Sequence, residues 1–131
     1  MTEKRYYIKV KLNEEEKVIN VDYTVEKPSD MDSLDFFHEH VAHTIDITNL
    51  NMLDYQHDIA FIVDDEGLLI SKNPIYRLTI ADFVHHIAGD FLIGRNMIID
   101  EEMHTVGFTV NELREIHDVY GLNVGIVSFT E

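Results

Sequence analysis

Tyr6, Ile8, Val10 and Leu12 alternate with Tyr7, Lys9 and Lys11, and Ile19, Val21, Tyr23 and Val25 alternate with Asn20, Asp22 and Thr24. A period of two is that of a strand with one wet face, so both segments are predicted strands. The polar run 13–16 joins them as an antiparallel hairpin. After Pro28 the period changes. Leu34, Phe37, Val41 and Ile45 recur at helical spacing behind the loop residues 29–33, which predicts a first helix over 34–44. A short strand is expected over 47–53. The continuous apolar run 59–63 reads as a buried central strand that stops at the turn Asp64-Asp65-Glu66-Gly67, with 68–71 returning as its hairpin partner.

Pro74 should keep that returning strand from continuing, and Thr79 with Asp82 suggests the cap of a short helix running to His86. Residues 91–99 read as a strand broken at Gly94. Thr109 and Glu112 form a capping box ahead of Leu113, Ile116 and Val119, and Gly121 stands where a helix C′ residue belongs, so a second helix is predicted over 110–120. Alternation over 122–127 predicts a last strand. The expected fold is α+β: a mainly antiparallel sheet with two principal helices in a single layer packed on it. Residues 1–131 are read as one domain, with 1–27 as an N-terminal β-hairpin extension.

Size and composition agree with one core, since 131 residues with 45% hydrophobic content is ordinary for a single domain. No apolar run approaches the roughly 20 residues of a membrane-spanning helix. The first dozen residues lack the apolar stretch of a signal peptide, and the chain has no cysteine. A soluble, cytoplasmic protein is expected. The lack of cysteine excludes disulfides, thiolate nucleophiles and iron–sulfur clusters, leaving only His, Asp and Glu as metal ligands.

Charge changes the picture most. The net charge is −15, and all of it lies downstream of Lys27: residues 1–27 hold six basic and six acidic residues, whereas residues 28–131 hold 19 acids against Lys72, Arg77, Arg95 and Arg114. Such a chain repels phosphate backbones and anionic lipid, so direct nucleic-acid and membrane binding are not expected. Two readings of the charge remain: plain solubility, or an acidic surface meant for a basic partner.

Eight histidines invite a metal reading. On the predicted helix His38 falls beside Leu34 and Val41, while His40 and His43 fall on the wetter side, so the three cannot converge on one ion. Ala42 occupies the place that a two-histidine zinc helix would give its second ligand. His40 and His43 are weak metal candidates, and adjacent His85 and His86 read as structural or solvent-facing. Glu15-Glu16-Lys17 has the acid-x-Lys form of metal-dependent nucleases but sits in a predicted turn. The Asp64 turn lacks the alternating acids of a calcium loop. No phosphate loop, serine-nucleophile elbow or kinase signature occurs. No catalytic residue, enzyme activity or cofactor is therefore expected.

Several features from Ser33 onward resemble a family of short phage and plasmid proteins, a domain of unknown function. They are Ser33-Leu34 opening a helix, the turn Asp65-Glu66-Gly67-Leu68 after a strand, Asn73, the segment 87–93 reading Ile-Ala-Gly-Asp-Phe-Leu-Ile, and the Thr109-capped helix. The likeness spans about residues 33–120; the N-terminal hairpin is longer here, and nothing aligns over 123–131. The resemblance implies a mobile-element origin, in which small acidic proteins act by blocking host defence or replication machinery. The expectation is then a non-enzymatic inhibitor that mimics nucleic acid and binds a basic protein such as a host nucleic-acid-binding enzyme. Asp64, Asp65, Glu66, Asp100, Glu101 and Glu102 are its expected contacts. The alternatives are a binding module with an apolar contact and, third, a His/carboxylate metal-dependent hydrolase.

Overall fold

The computed structural model describes residues 4–50 and 58–131. Among these described residues nine strands form two antiparallel sheets. The larger takes β1 (Tyr7–Asn13), β2 (Val18–Val25), β3 (Ile45–Leu50), β4 (Ile59–Asp64) and β7 (Phe91–Ile99) in the order β2-β1-β7-β4-β3, with β8 (Glu102–Val106) added alongside β7. The smaller has the order β6-β5-β9, from β5 (Pro74–Ile80), β6 (Phe83–Ala88) and β9 (Asn123–Phe129). Helix α1 spans Ser33–His40, and α2 spans Val110–Arg114 before widening into a π-helical turn over Glu115–Tyr120.

The expectation of an α+β fold with one helix layer on a sheet is overturned. Among the described residues strands make up 52% and helix 18%, and it is a second sheet that covers much of the first. The reason lies in strand parity. Ile8, Val10, Ile59, Phe61, Phe91 and Ile93 point from the large sheet toward Tyr76, Leu78 and Ile80 of β5, and together they form the main core. Residues of the opposite parity, Tyr7, Ile62 and Leu92, point the other way and are covered by Phe36 and Phe37 of α1. A sheet buried on both faces needs apolar residues at consecutive positions, which is why 59–63 reads as an unbroken run.

Several local expectations are corrected. Residues 79–86 make no helix: they form the β5–β6 hairpin, in which Ile80 faces Phe83 and Ala81 turns the chain at φ 51°. Tyr76, Leu78 and Ile80 alternate inward there, so the period of two prevails over the cap-like Thr79 and Asp82. Pro74 opens β5, a position where the lost N–H costs no interior ladder bond. Residues 68–71 do not pair with β4, whose neighbours are β3 and β7; a 3-10 turn occupies Gly67–Leu69. Strand β7 runs through Gly94 unbroken. The hairpin β7–β8 turns at Asp100 and Glu101, both left-handed at φ 51° and 69°, the geometry of a two-residue type I′ connection. Helix α1 ends at His40, four residues before the expected boundary, with Leu34 exposed.

Other expectations match. The β1–β2 hairpin forms, with β1 between β2 and β7. Both arms of the Thr109–Glu112 capping box are made, and Gly121 ends the helix at φ 70°. Strands β3 and β9 replace 47–53 and 122–127 with shifted ends; residues 51–53 of the former lie outside the described residues.

Candidate functional site

Where β4 of the large sheet meets β6 of the small one, a cleft of about 230 Å³ opens to solvent. Phe61 and Val63 reach it from β4, and His85 and Ile87 from β6. The end of β4 and the turn after it form its lip and supply Asp64, Asp65 and Glu66 followed by Leu68 and Leu69. No lysine or arginine is among the described residues lining it.

The lip is held in place by particular bonds. Asp64 Oδ1 accepts the backbone N–H of Glu66 at 2.9 Å, and it accepts the Thr44 hydroxyl at 3.4 Å. Behind the acids, Gly67 presses on β6: a Cβ there would lie 2.3 Å from the carbonyl oxygen of Ala88. The Asn73 side-chain amide donates to the Gly67 carbonyl at 2.9 Å and ties the turn to the start of β5. The three carboxylates are thus carried by a braced turn with its hydrophobic residues facing outward. Leu68 and Leu69 are 72% and 83% exposed, high for neighbouring leucines.

His85 sits opposite this lip. Its ring centroid is 5.1 Å from that of Phe61, and its Nε2 is buried without a hydrogen-bond partner. Burial holds its imidazole below the ordinary range, so it is uncharged at neutral pH. Of the pair read as structural or solvent-facing, His86 is exposed and His85 is half-buried against Phe61, sharing the inward parity of Ile87. That parity was present in the sequence and was hidden by the mistaken helix.

His85→Leu is expected to raise stability by about 1 kcal/mol, since it removes an unpaired buried nitrogen. The gain should depend on pH. The unfolded chain takes up a proton at His85 near the usual value of about 6.5, and the folded chain resists it. The stability this confers is full above that value and is lost as pH falls through the lower folded value. Denaturant titrations of wild type and His85→Leu from about pH 7.5 to about pH 5.5 should show the gap widening toward acid; a constant gap would mean that His85 titrates alike in both states.

The other expected contacts lie elsewhere. Asp100 and Glu101 form the tip of the β7–β8 hairpin and Glu102 begins β8, none of them lining the cleft. Ile98 and Met103 face each other across this hairpin and are both exposed. His40 and His43 are not brought together for a metal. The helix ends between them, His40 Nδ1 accepts from the Lys9 ammonium at 3.2 Å with its ring 4.5 Å from Phe36, and His43 stacks loosely toward His38. Burial, then the Lys9 charge, holds the His40 imidazole low. Among the described residues no group of three or more His, Asp or Glu side chains is placed to hold a metal ion.

Among the described residues, no helix is long and apolar enough to cross a membrane. Compared with known proteins, the chain matches no family model, no curated protein and no solved structure.

Proposed function

We propose that the protein is a non-enzymatic interaction protein whose acidic surface receives a basic partner. The observation that carries this reading is the cleft lip. Asp64, Asp65 and Glu66 stand together on a turn fixed by Gly67 and Asn73, beside a cavity whose described lining has no cation. Carboxylates fixed on a rigid turn keep their geometry without an ordering cost on binding, unlike charges spread over mobile side chains. The net charge of −15 adds a long-range field of the same sign, which raises the encounter rate with a positive surface. A groove that normally holds phosphates is the natural complement of such a surface, which makes a nucleic-acid-binding enzyme the partner class. The mobile-element role as an inhibitor belongs to this proposal and rests on the resemblance alone.

The test compares two charge reversals in association kinetics with a Lys/Arg-rich DNA-binding domain across a salt series. One variant carries Asp64→Lys, Asp65→Lys and Glu66→Lys; the other carries Asp100→Lys, Glu101→Lys and Glu102→Lys. Both alter net charge equally, so a general field effect slows both alike. The expected result is that the first variant slows association at low salt by about tenfold or more and the second by clearly less. Equal slowing would leave solubility as the account of the charge. Circular dichroism should show both folded: the five exposed substitutions usually change stability by about 0.5 kcal/mol or less each, and half-buried Asp64→Lys adds about 1 kcal/mol by removing the acceptor for the Glu66 N–H and the Thr44 hydroxyl.

A further inference from the structure

The cleft is larger than an ion requires. Its 230 Å³ is several times the roughly 30 Å³ that one water occupies in the liquid, and its walls combine apolar side chains with the polar groups of the lip. Phe61 and Ile87 form the inner wall, and Leu68 and Leu69 form an apolar rim next to the acids. A bare cation would leave that rim wet, and a purely apolar group would desolvate Asp64, Asp65 and Glu66 without compensation. The walls fit a long apolar stem that ends in a positive head.

We propose that the cleft is the socket for a single arginine side chain of the basic partner, with its methylene stem along Leu68 and its guanidinium among the carboxylates of Asp64, Asp65 and Glu66. This rests on the reading of the protein as an acidic binder and specifies which contact gives it selectivity. Three features favour arginine over lysine. A guanidinium presents five N–H donors in a plane and can bridge more than one carboxylate at once, whereas an ammonium is a compact, strongly hydrated point charge. Its flat face suits the aromatic wall formed by Phe61 and His85. The stem of either residue covers apolar surface, but the more weakly hydrated guanidinium loses less on entering a partly enclosed site. An uncharged His85 leaves the wall without a repelling cation.

The long-range field and the socket are separable. Leu68 carries no charge and is 72% exposed, so Leu68→Ala leaves both the net charge and the core unchanged. The probes are three blocked tripeptides, Gly-Arg-Gly, Gly-Lys-Gly and Gly-norleucine-Gly, titrated into the intact chain while backbone amide shifts are followed by NMR. The arginine peptide should shift the amides of residues 64–69 and 85–88 at millimolar concentration. It should bind several-fold more tightly than the lysine peptide, with the norleucine peptide giving no saturable shift. In Leu68→Ala, affinity for the arginine peptide should fall several-fold, with the peptide shifts still centred on the cleft. Saturable binding of the norleucine peptide, or equal binding of arginine and lysine, would overturn the arginine socket. Shifts spread over the acidic surface without focus on the cleft would overturn it too, and would leave the broader electrostatic reading intact provided that the lip reversal still slows association. If that reversal has no selective effect although the arginine peptide saturates the cleft, the socket stands and the electrostatic reading fails.

Discussion

Glu112→Ala is expected to destabilise the protein by about 3–5 kcal/mol, a large share of the 5–15 kcal/mol typical of a whole domain. Glu112 is bound three ways. Its Oε1 accepts the backbone N–H of Thr109 at 2.9 Å and the Arg5 guanidinium at 3.1 Å, and its Oε2 pairs with Arg95. Burial by itself would raise the carboxyl, but the Thr109 N–H and the two arginines outweigh it and hold Glu112 below the usual glutamate range. The Arg95 side chain is only 6% exposed, and its Nε already lacks a partner. Removing the carboxylate therefore strands a buried charge, which costs more than the bonds themselves. Thr109→Ala, which removes only the cap acceptor, should cost about 1 kcal/mol. Arg95→Met in the Glu112→Ala background should restore much of the loss by removing the stranded charge. Urea midpoints of the three variants test this. Equal losses in Thr109→Ala and Glu112→Ala would show that the Arg95 charge finds water once its partner is gone.

Gly94→Ala should cost about 2–3 kcal/mol, in the upper part of the range for overpacking. In an ordinary exposed strand the same change stabilises by roughly 0.5–1 kcal/mol, so the sign alone is informative. A Cβ at residue 94 would lie 2.6 Å from the Val106 carbonyl oxygen and 2.9 Å from the Tyr7 ring. Neither has room to move: Val106 is paired with Arg95 in the β7–β8 ladder, and buried Tyr7 donates its hydroxyl to the Thr105 carbonyl at 3.1 Å. Hydrogen exchange should show protection lost first along β8, together with a lower melting temperature. A stabilised variant would show that Tyr7 and β8 yield readily.

The glycine that reads as a break in a strand is thus the position that lets the strand carry a close neighbour. That distinction was not available from residue type, because a strand interruption and a close approach both select glycine. Elements with a single dominant signal were legible: the β1–β2 hairpin from its alternation, α2 from its capping box, β4 from its apolar run. Residues 79–86 were not, because Thr79 and Asp82 suit a helix cap and mask the alternation that turns His85 and Ile87 inward once β6 pairs with β5. The single helix layer failed for a related reason. A sheet that packs on another sheet and one that packs on helices present the same apolar residues, and only the partner differs. Of the candidate site, the Asp64-Asp65-Glu66 lip was legible as an exposed acidic turn. Its cleft was not, since Phe61, Leu68 and His85 are brought together by the meeting of β4 and β6.

Strand β7 has a consequence for how the chain reaches this state. The hairpins β1–β2, β3–β4, β5–β6 and β7–β8 close between neighbouring segments, but Ile8 must find Ile93 and Tyr76 must find Ile126 before either sheet is complete. Such distant encounters cost loop entropy before they return any burial, so the rate-limiting step should be the insertion of β7 between β1 and β4 rather than the formation of any hairpin. Mutations on the β7 seam, Ile93 foremost, should then slow refolding. Changes confined to the β7–β8 tip should mainly speed unfolding, which gives the two halves of one strand opposite kinetic signatures.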